Sequence, residues 1–94
     1  MNNIKTLKFD GSESYSDCTH TIHNSEVVFS ITKQDGFYEV IVKAHKLGMC
    51  NQFFTMRKAQ LWAVYIYCEM QLDGVSQAYE NYPYLVKLYK GEVA

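Results

Sequence analysis

An Asp-Gly pair at positions 35 and 36 constrains the fold of this chain more than any other feature of its sequence. Asp-Gly accepts the positive φ angles of a type I′ turn, which joins two twisted strands through a two-residue loop. With this loop, one face of the hairpin has three apolar pairs: Ile31 with Val40, Phe29 with Val42, and Val27 with Ala44. The other face pairs Thr32 with Glu39, Ser30 with Ile41, Val28 with Lys43, and Glu26 with His45. Because a slip of one residue would mix the two faces, the turn and the hydrophobic pattern predict the same register.

Two weaker turn signals extend this hairpin toward the N-terminus. Asn24-Ser25, taken as a second two-residue loop, gives three further pairs: Ile22 with Val27, His20 with Phe29, and Cys18 with Ile31. Residues 10–13 predict a turn after a first strand over residues 4–9, in which Leu7 and Phe9 join the apolar face. The first half of the chain is therefore predicted to be a four-stranded antiparallel meander with one buried face.

The second half of the chain follows helical spacing. Thr55 is placed to cap a long helix through its hydroxyl, and Asp73-Gly74 is placed to end it. The predicted core-facing stripe contains Ala59, Trp62, Ala63, Ile66 and Met70. A second stripe, taken to adjoin the first, contains Leu61, Tyr65, Cys68 and Leu72. A shorter helix is predicted over residues 75–81, and Pro83 interrupts it, while residues 84–90 fit either a helical turn or a strand.

These elements predict an α+β fold, because a run of strands is followed by helices. One long helix packs on one face of the meander, and a short C-terminal helical segment follows it. The 94 residues suffice for one domain, so a single compact domain is predicted over residues 1–94. A hydrophobic content of 48% supports a packed core.

Charge and cysteine usage limit the classes of function. The net charge is −1, with nine Lys and Arg scattered among ten Asp and Glu. This is no strong nucleic-acid signal, because duplex-binding proteins concentrate basic residues against phosphates. Cys18, Cys50 and Cys68 form no C-x-x-C motif and are predicted to be free thiols in a reducing cytoplasm. No run of about 18 apolar residues occurs, so no membrane association is predicted.

The segment from Cys18 to His23 reads C-x-H-x-x-H and suggests a metal site. Under the predicted registers Cys18 and His20 face the core while His23 faces away, so their ligand atoms cannot converge on one ion. We therefore predict no metal and no cofactor at this segment. The same registers place His23, Glu26 and His45 in a row on the polar face. Metal or small-ligand binding by this His/Glu cluster is the alternative function.

Catalytic signals are weak in this sequence. It contains no G-x-S-x-G, no H-E-x-x-H and no phosphate-binding glycine loop. Cys50 is predicted to lie in a loop before the long helix, and no histidine is placed beside it there. The protein is therefore predicted not to be an enzyme.

Tyrosine is the unusual part of the composition, with eight residues. The predicted partner-binding surface consists of Tyr67, Tyr79, Glu80, Tyr82, Tyr84 and Tyr89. Tyr67 is assigned to it because helical spacing places it away from the main apolar stripe. Tyrosine gives a large contact area at low entropic cost and is enriched at binding hot spots. Rings packed into the core with their hydroxyls at the surface are the competing interpretation.

The sequence therefore favours a small non-enzymatic protein-binding module. In this interpretation it is an inhibitor or modulator that occupies a surface of a larger protein partner. Small proteins of this form are often carried by viruses and mobile elements, where they modulate host or defence functions. An exposed outer sheet face carrying Val28 and Ile41 is an alternative contact, which would serve a homodimer.

Overall fold

The computed structural model describes residues 7, 9–11, 14–44 and 47–82. They form five strands and then two helices: β1 (Asp10–Gly11), β2 (Tyr15–Ile22), β3 (Ser25–Lys33), β4 (Tyr38–Ala44), β5 (Leu47–Phe53), α1 (Met56–Asp73) and α2 (Val75–Glu80). The strands form one antiparallel sheet in chain order, and the buried residues of both helices join the core on one of its faces. The predicted α+β class, antiparallel meander, long helix and short second helix are confirmed.

The β3–β4 hairpin has the predicted register. Val27 lies opposite Ala44, Phe29 opposite Val42, and Ile31 opposite Val40. At the turn, the Gln34 N–H donates to the Phe37 carbonyl over 2.8 Å. Gly36 has a φ of 87°, but Asp35 has no positive φ, so the predicted type I′ geometry is wrong. The glycine alone supplies the left-handed conformation that this turn requires.

The turn between β2 and β3 lies one residue earlier than predicted. His23 and Asn24 form it, with φ angles of 48° and 65°, which is the pair of positive values that a type I′ turn uses. Ile22 therefore pairs with Ser25, and the predicted pairing with Val27 is wrong. Cys18 likewise lies opposite Phe29 and not Ile31. Because the register moves by two residues, every side chain of β2 keeps its predicted face.

Both ends of the sheet differ from the sequence prediction. Asp10–Gly11, predicted as a turn, pairs with β2 as a short strand. Of the first strand predicted over residues 4–9, only Leu7 and Phe9 lie among the described residues, and both pack against the core. Cys50 was predicted to lie in a loop but belongs to a fifth strand, Leu47–Phe53, in which Met49 lies opposite Val42 in the core.

The core lies between one face of the sheet and α1. Its fully buried members from the sheet are Val27, Phe29, Ile31, Val40, Val42 and Met49, and those from α1 are Ala59, Ala63, Ile66 and Met70. The two alanines lie on the side of the helix nearest the sheet, and their small side chains allow a close approach. Trp62 was predicted to be a central core residue but is only partly buried.

The ends of the helices are fixed by backbone and side-chain hydrogen bonds. Thr55 Oγ1 accepts from the Lys58 N–H over 3.1 Å at the start of α1, as predicted. Gly74, with a φ of 91°, donates its N–H to the Met70 carbonyl and ends α1. The Tyr79 hydroxyl donates to the Val42 carbonyl over 3.1 Å, which joins α2 to β4. No helix in the described residues is both long and apolar enough to cross a membrane.

Candidate functional site

The structure divides the six residues of the predicted partner-binding surface into three groups. Tyr67 and Tyr79 are only 5% and 3% exposed, so their rings are not available for docking. Tyr82 is partly buried against the core, and Glu80 is exposed. Tyr84 and Tyr89 lie outside the described residues.

Tyr67 is a core residue because α1 turns it toward β2 and β3. Its ring lies edge-on to Phe29, with centroids 5.9 Å apart, and is tilted against His20 at 4.9 Å. Burial, and then the neighbouring Cys68 and Cys18, raise the pKa of its hydroxyl. The predicted position of Tyr67, away from the core stripe, is therefore wrong.

The predicted row of His23, Glu26 and His45 is not formed by the residues that the structure describes. His23 lies in the β2–β3 turn, and its Nε2 donates to the Gln71 carbonyl near the end of α1, over 3.0 Å. It therefore points to the helix side, whereas Glu26 lies on the opposite face of the sheet, paired with Thr21. His45 lies outside the described residues. Among the residues described, no group of three or more His, Cys, Asp or Glu is placed to hold a metal ion.

The environment of the thiols disfavours their reactive form. Burial, and then the charge of Asp17, raise the pKa of Cys18 from 9.0 to about 11. Cys50, which lies in β5 and not in the predicted loop, has its pKa raised by burial and then by Glu39. Since the thiolate is the nucleophile, neither residue is suited to nucleophilic catalysis at neutral pH.

The outward side of α1 carries the most conspicuous surface feature. Leu61, Tyr65, Cys68 and Leu72 form a line along it, with helical spacings of four, three and four residues. Leu61 is 56% exposed, Tyr65 52% and Leu72 80%. We call these four residues the α1 surface. Phe54, 83% exposed, lies just before the N-cap, so an apolar side chain also flanks the start of the helix.

The sequence prediction treated this stripe as an extension of the core-facing one. Counting about 100° per residue, the two stripes lie nearly opposite each other on the helix. The spacing of apolar residues in the sequence therefore already indicates that α1 is apolar on two separate sides. A helix that packs on one face of a sheet buries only one of its sides there, so the second stripe remains exposed to solvent.

Tyr65 is held in place at the centre of the α1 surface. Its hydroxyl forms hydrogen bonds with Glu69 and Tyr82, and these bonds are the main reason that its pKa lies well above 10.0. The Tyr82 ring in turn lies edge-on to Trp62 at 6.3 Å, and Trp62 contacts Phe53 at 5.8 Å. Hydrogen bonds of its hydroxyl restrict a tyrosine side chain, so it loses less entropy when a partner docks on it.

Charged residues flank the two ends of the α1 surface with opposite sign. Arg57 and Lys58 are exposed in the first turn, and Asp73 is exposed at the last position. Glu69, partly buried, lies one turn before Asp73. Along one flank of the helix, a groove of about 190 Å³ separates α1 from the N-terminal residues; it is lined by Leu7, Phe9, Arg57, Gln60, Leu61 and Val64.

Comparisons of the chain with protein-family models, with curated proteins and with solved structures find no match.

Proposed function

We propose that the protein is a small non-enzymatic protein-binding module that docks through the α1 surface. It would act as an inhibitor or modulator by occupying a surface of its partner. One observation carries the proposal: three of the five large apolar side chains exposed in the described residues lie in one line on one helix. Single exposed apolar residues are ordinary, but contiguous apolar patches on a small protein mark interaction sites.

The α1 surface defines the chemistry of the partner. Burial of Leu61 and Leu72 stabilises a complex in proportion to the apolar area removed from water, so the facing strip must itself be apolar. The hydrogen-bonded Tyr65 is suited to be a hot spot at the centre. Acidic groups are required near Arg57 and Lys58, and a basic group near Asp73, because rim charges set the orientation of docking.

The predicted Tyr-rich C-terminal end contributes to this proposal through one of its described tyrosines. Tyr82 hydrogen-bonds Tyr65 and packs on Trp62, so it supports the binding ring from the side. Tyr67 and Tyr79 support the surface only indirectly, by fixing the helices against the sheet. The free thiols of Cys18, Cys50 and Cys68 favour a reducing compartment, the cytoplasm, as the place of action.

The test compares proteins captured from cells by three forms of the chain. We expect a partner to be retained by the native chain and lost by the variant Leu61→Ser/Leu72→Ser. Tyr15→Thr is the matched control, because Tyr15 is also a large exposed apolar residue but lies on β2, away from α1. The captured protein is then purified and its affinity for all three forms is measured by calorimetry.

Thermal unfolding of each form shows whether the fold is intact. A purified partner that binds the double variant as tightly as the native chain would overturn the use of the α1 surface. Loss of binding in Tyr15→Thr, with Leu61→Ser/Leu72→Ser unaffected, would move the site to the sheet.

A further inference from the structure

We infer that a second copy of this chain occupies the α1 surface, through antiparallel pairing of two α1 helices about a two-fold axis. The inference rests on the proposed function, because it names a partner for the same surface. Two features of α1 support it: its apolar pattern and its charge pattern, which also runs against the helix dipole.

The apolar pattern is self-complementary when one helix is reversed. Leu61 and Leu72 are equally distant from the midpoint of the α1 surface, and so are Tyr65 and Cys68. Turning a second helix end for end therefore places Leu61 opposite Leu72 of the second copy, at both ends of the contact. Tyr65 then lies opposite Cys68 of the second copy, on both sides of the axis. An isologous contact of this kind closes on itself, as most homodimers do.

The charges select the antiparallel orientation. Counting about 100° per residue, Lys58, Glu69 and Asp73 lie to the same side of the α1 surface, with Asp73 farthest round toward the core. In an antiparallel pair the two-fold axis is perpendicular to the helices, so this side of one helix lies against the same side of the other. Lys58 of each copy then lies near Asp73 of the other, so two attractive pairs form. A parallel pair about a two-fold axis would instead bring opposite flanks together and place Lys58 of one copy near Arg57 of the other, which is repulsive.

The same charges oppose the dipole of the isolated helix. Acidic residues stabilise a helix N-terminus and basic residues its C-terminus, but α1 has no acidic residue in its first turn and no basic residue in its last. Arg57 and Lys58 lie at the positive end of the dipole, and Asp73 lies at the negative end. An antiparallel neighbour brings opposite charge to each end and thereby offsets this cost.

The contact is small, so we expect a weak and reversible dimer. The 18 residues of α1 span about 27 Å, and only one helix from each copy contributes. Contacts of this size lie at the low end of specific interfaces, where association depends on concentration. A pairing that is readily reversed also leaves the α1 surface accessible to a larger partner.

The decisive experiment is a charge exchange, measured by sedimentation equilibrium over a wide range of concentrations. The native chain should dimerise, and Lys58→Glu and Asp73→Lys should each weaken dimerisation about tenfold, because two pairs per dimer become repulsive. An equal mixture of the two variants should restore native affinity, since each mixed pair again joins opposite charges. Leu72→Ser should weaken dimerisation by about a hundredfold or more, and Tyr15→Thr should leave it unchanged.

The outcomes separate this inference from the proposed function. A native chain that stays monomeric at every concentration overturns the pairing, as does a mixture that associates no better than either variant alone. A dimer that Leu72→Ser does not weaken also overturns it, because the contact then lies elsewhere. None of these results bears on capture of another protein through Leu61 and Leu72, which decides the proposed function.

Discussion

The two sides of α1 are both apolar, yet only one of them is packed. The core side presents Ala59, Ala63, Ile66 and Met70, all fully buried against the sheet. The outward side presents Leu61 and Leu72, which are more than half exposed. Hydrophobicity therefore does not distinguish the two sides. The core side includes two alanines, whose small side chains allow the helix to pack closely, whereas the outward side has none.

Packing and binding are assigned to different sides of one helix. Burial of the core side stabilises the fold, and that contribution is present in the isolated chain. The outward side contributes nothing comparable until a partner covers it. Substitutions on the two sides should therefore affect different measurements: the free energy of unfolding for the core side, and association for the outward side.

The largest effect should come from Ile66→Ala. Ile66 is fully buried, so its truncation removes apolar contacts and leaves a cavity, with an expected loss of about 2–5 kcal/mol in the free energy of unfolding. Leu61→Ala, which removes the same number of carbon atoms from the outward side, is the control and should cost about 1 kcal/mol or less. Denaturant unfolding of dilute protein measures both. Equal losses would mean that the two sides of α1 are equally packed.

Cysteine reactivity should differ between Cys18, which lies in β2 against the core, and Cys68, which lies on the outward side of α1. Cys18 packs against the core, and its pKa is raised to about 11, so at pH 8 its thiolate fraction should be about a hundredfold below that of the unfolded chain. Because the folded state disfavours the thiolate, this residue should leave stability unchanged below pH 9 and lower it between pH 9 and 11. Alkylation of native protein, followed for each cysteine peptide by mass spectrometry, should modify Cys68 before Cys18. The reverse order would contradict the burial of Cys18.

The substitution Tyr79→Phe tests whether the hydrogen bond of Tyr79 holds α2 against the sheet. Its buried hydroxyl donates to the Val42 carbonyl, so Tyr79→Phe should leave that carbonyl without this donor and cost about 1–2 kcal/mol. Tyr15→Phe, at an exposed tyrosine, should cost almost nothing. Thermal unfolding at low protein concentration compares the two variants. A Tyr79→Phe protein as stable as the native chain would show that α2 is not held by this bond.

The parts of the fold that the sequence predicted correctly are those where two signals agree. Between β3 and β4, the alternation of apolar residues on both strands and the glycine at the turn define one register. Between β2 and β3, Asn24-Ser25 and His23-Asn24 differ by two residues in register, and both keep the same side chains inside. The hydrophobic pattern therefore could not distinguish the two registers. Positive φ at His23 and Asn24 decides the turn, and neither residue is glycine, which is the usual sequence sign of that conformation.

The fifth strand and the α1 surface were not predicted from the sequence, and the reasons are related. In β5, Asn51 on the core-facing side and Cys50 on the outer side break the alternation, and Gly48 lowers the strand propensity, so the segment resembles a loop until pairing with β4 supplies its hydrogen bonds. For the α1 surface, composition showed the apolar residues, but only the position of the sheet shows which stripe is left exposed. The tyrosines were misleading because Tyr67 and Tyr79 fill the core.

A smaller effect, of opposite sign, is expected at the start of α1. Lys58→Glu places an acidic residue in the first turn, where it interacts favourably with the helix dipole, so the dilute monomer should gain about 0.3–1 kcal/mol. The same change should weaken dimerisation, so stability and association should move in opposite directions. Urea unfolding below the dimerisation range measures the first quantity. A Lys58→Glu protein that loses both stability and association would indicate a folding defect.

The smallest effect should come from Leu72→Ala, which is the sharpest test of the outward side. Leu72 is 80% exposed, so truncation removes little buried area, and alanine is at least as good a helix former as leucine. The expected change in the free energy of unfolding is within about 0.5 kcal/mol, measured by urea unfolding of dilute protein. At high concentration the native chain should be stabilised by its own association, and Leu72→Ala should lack that stabilisation. Ile66→Ala is the matched variant, since both substitutions truncate a large aliphatic residue of one helix. A loss above about 2 kcal/mol in the dilute Leu72→Ala protein would show that Leu72 is packed within the monomer, and the α1 surface would not be free to bind.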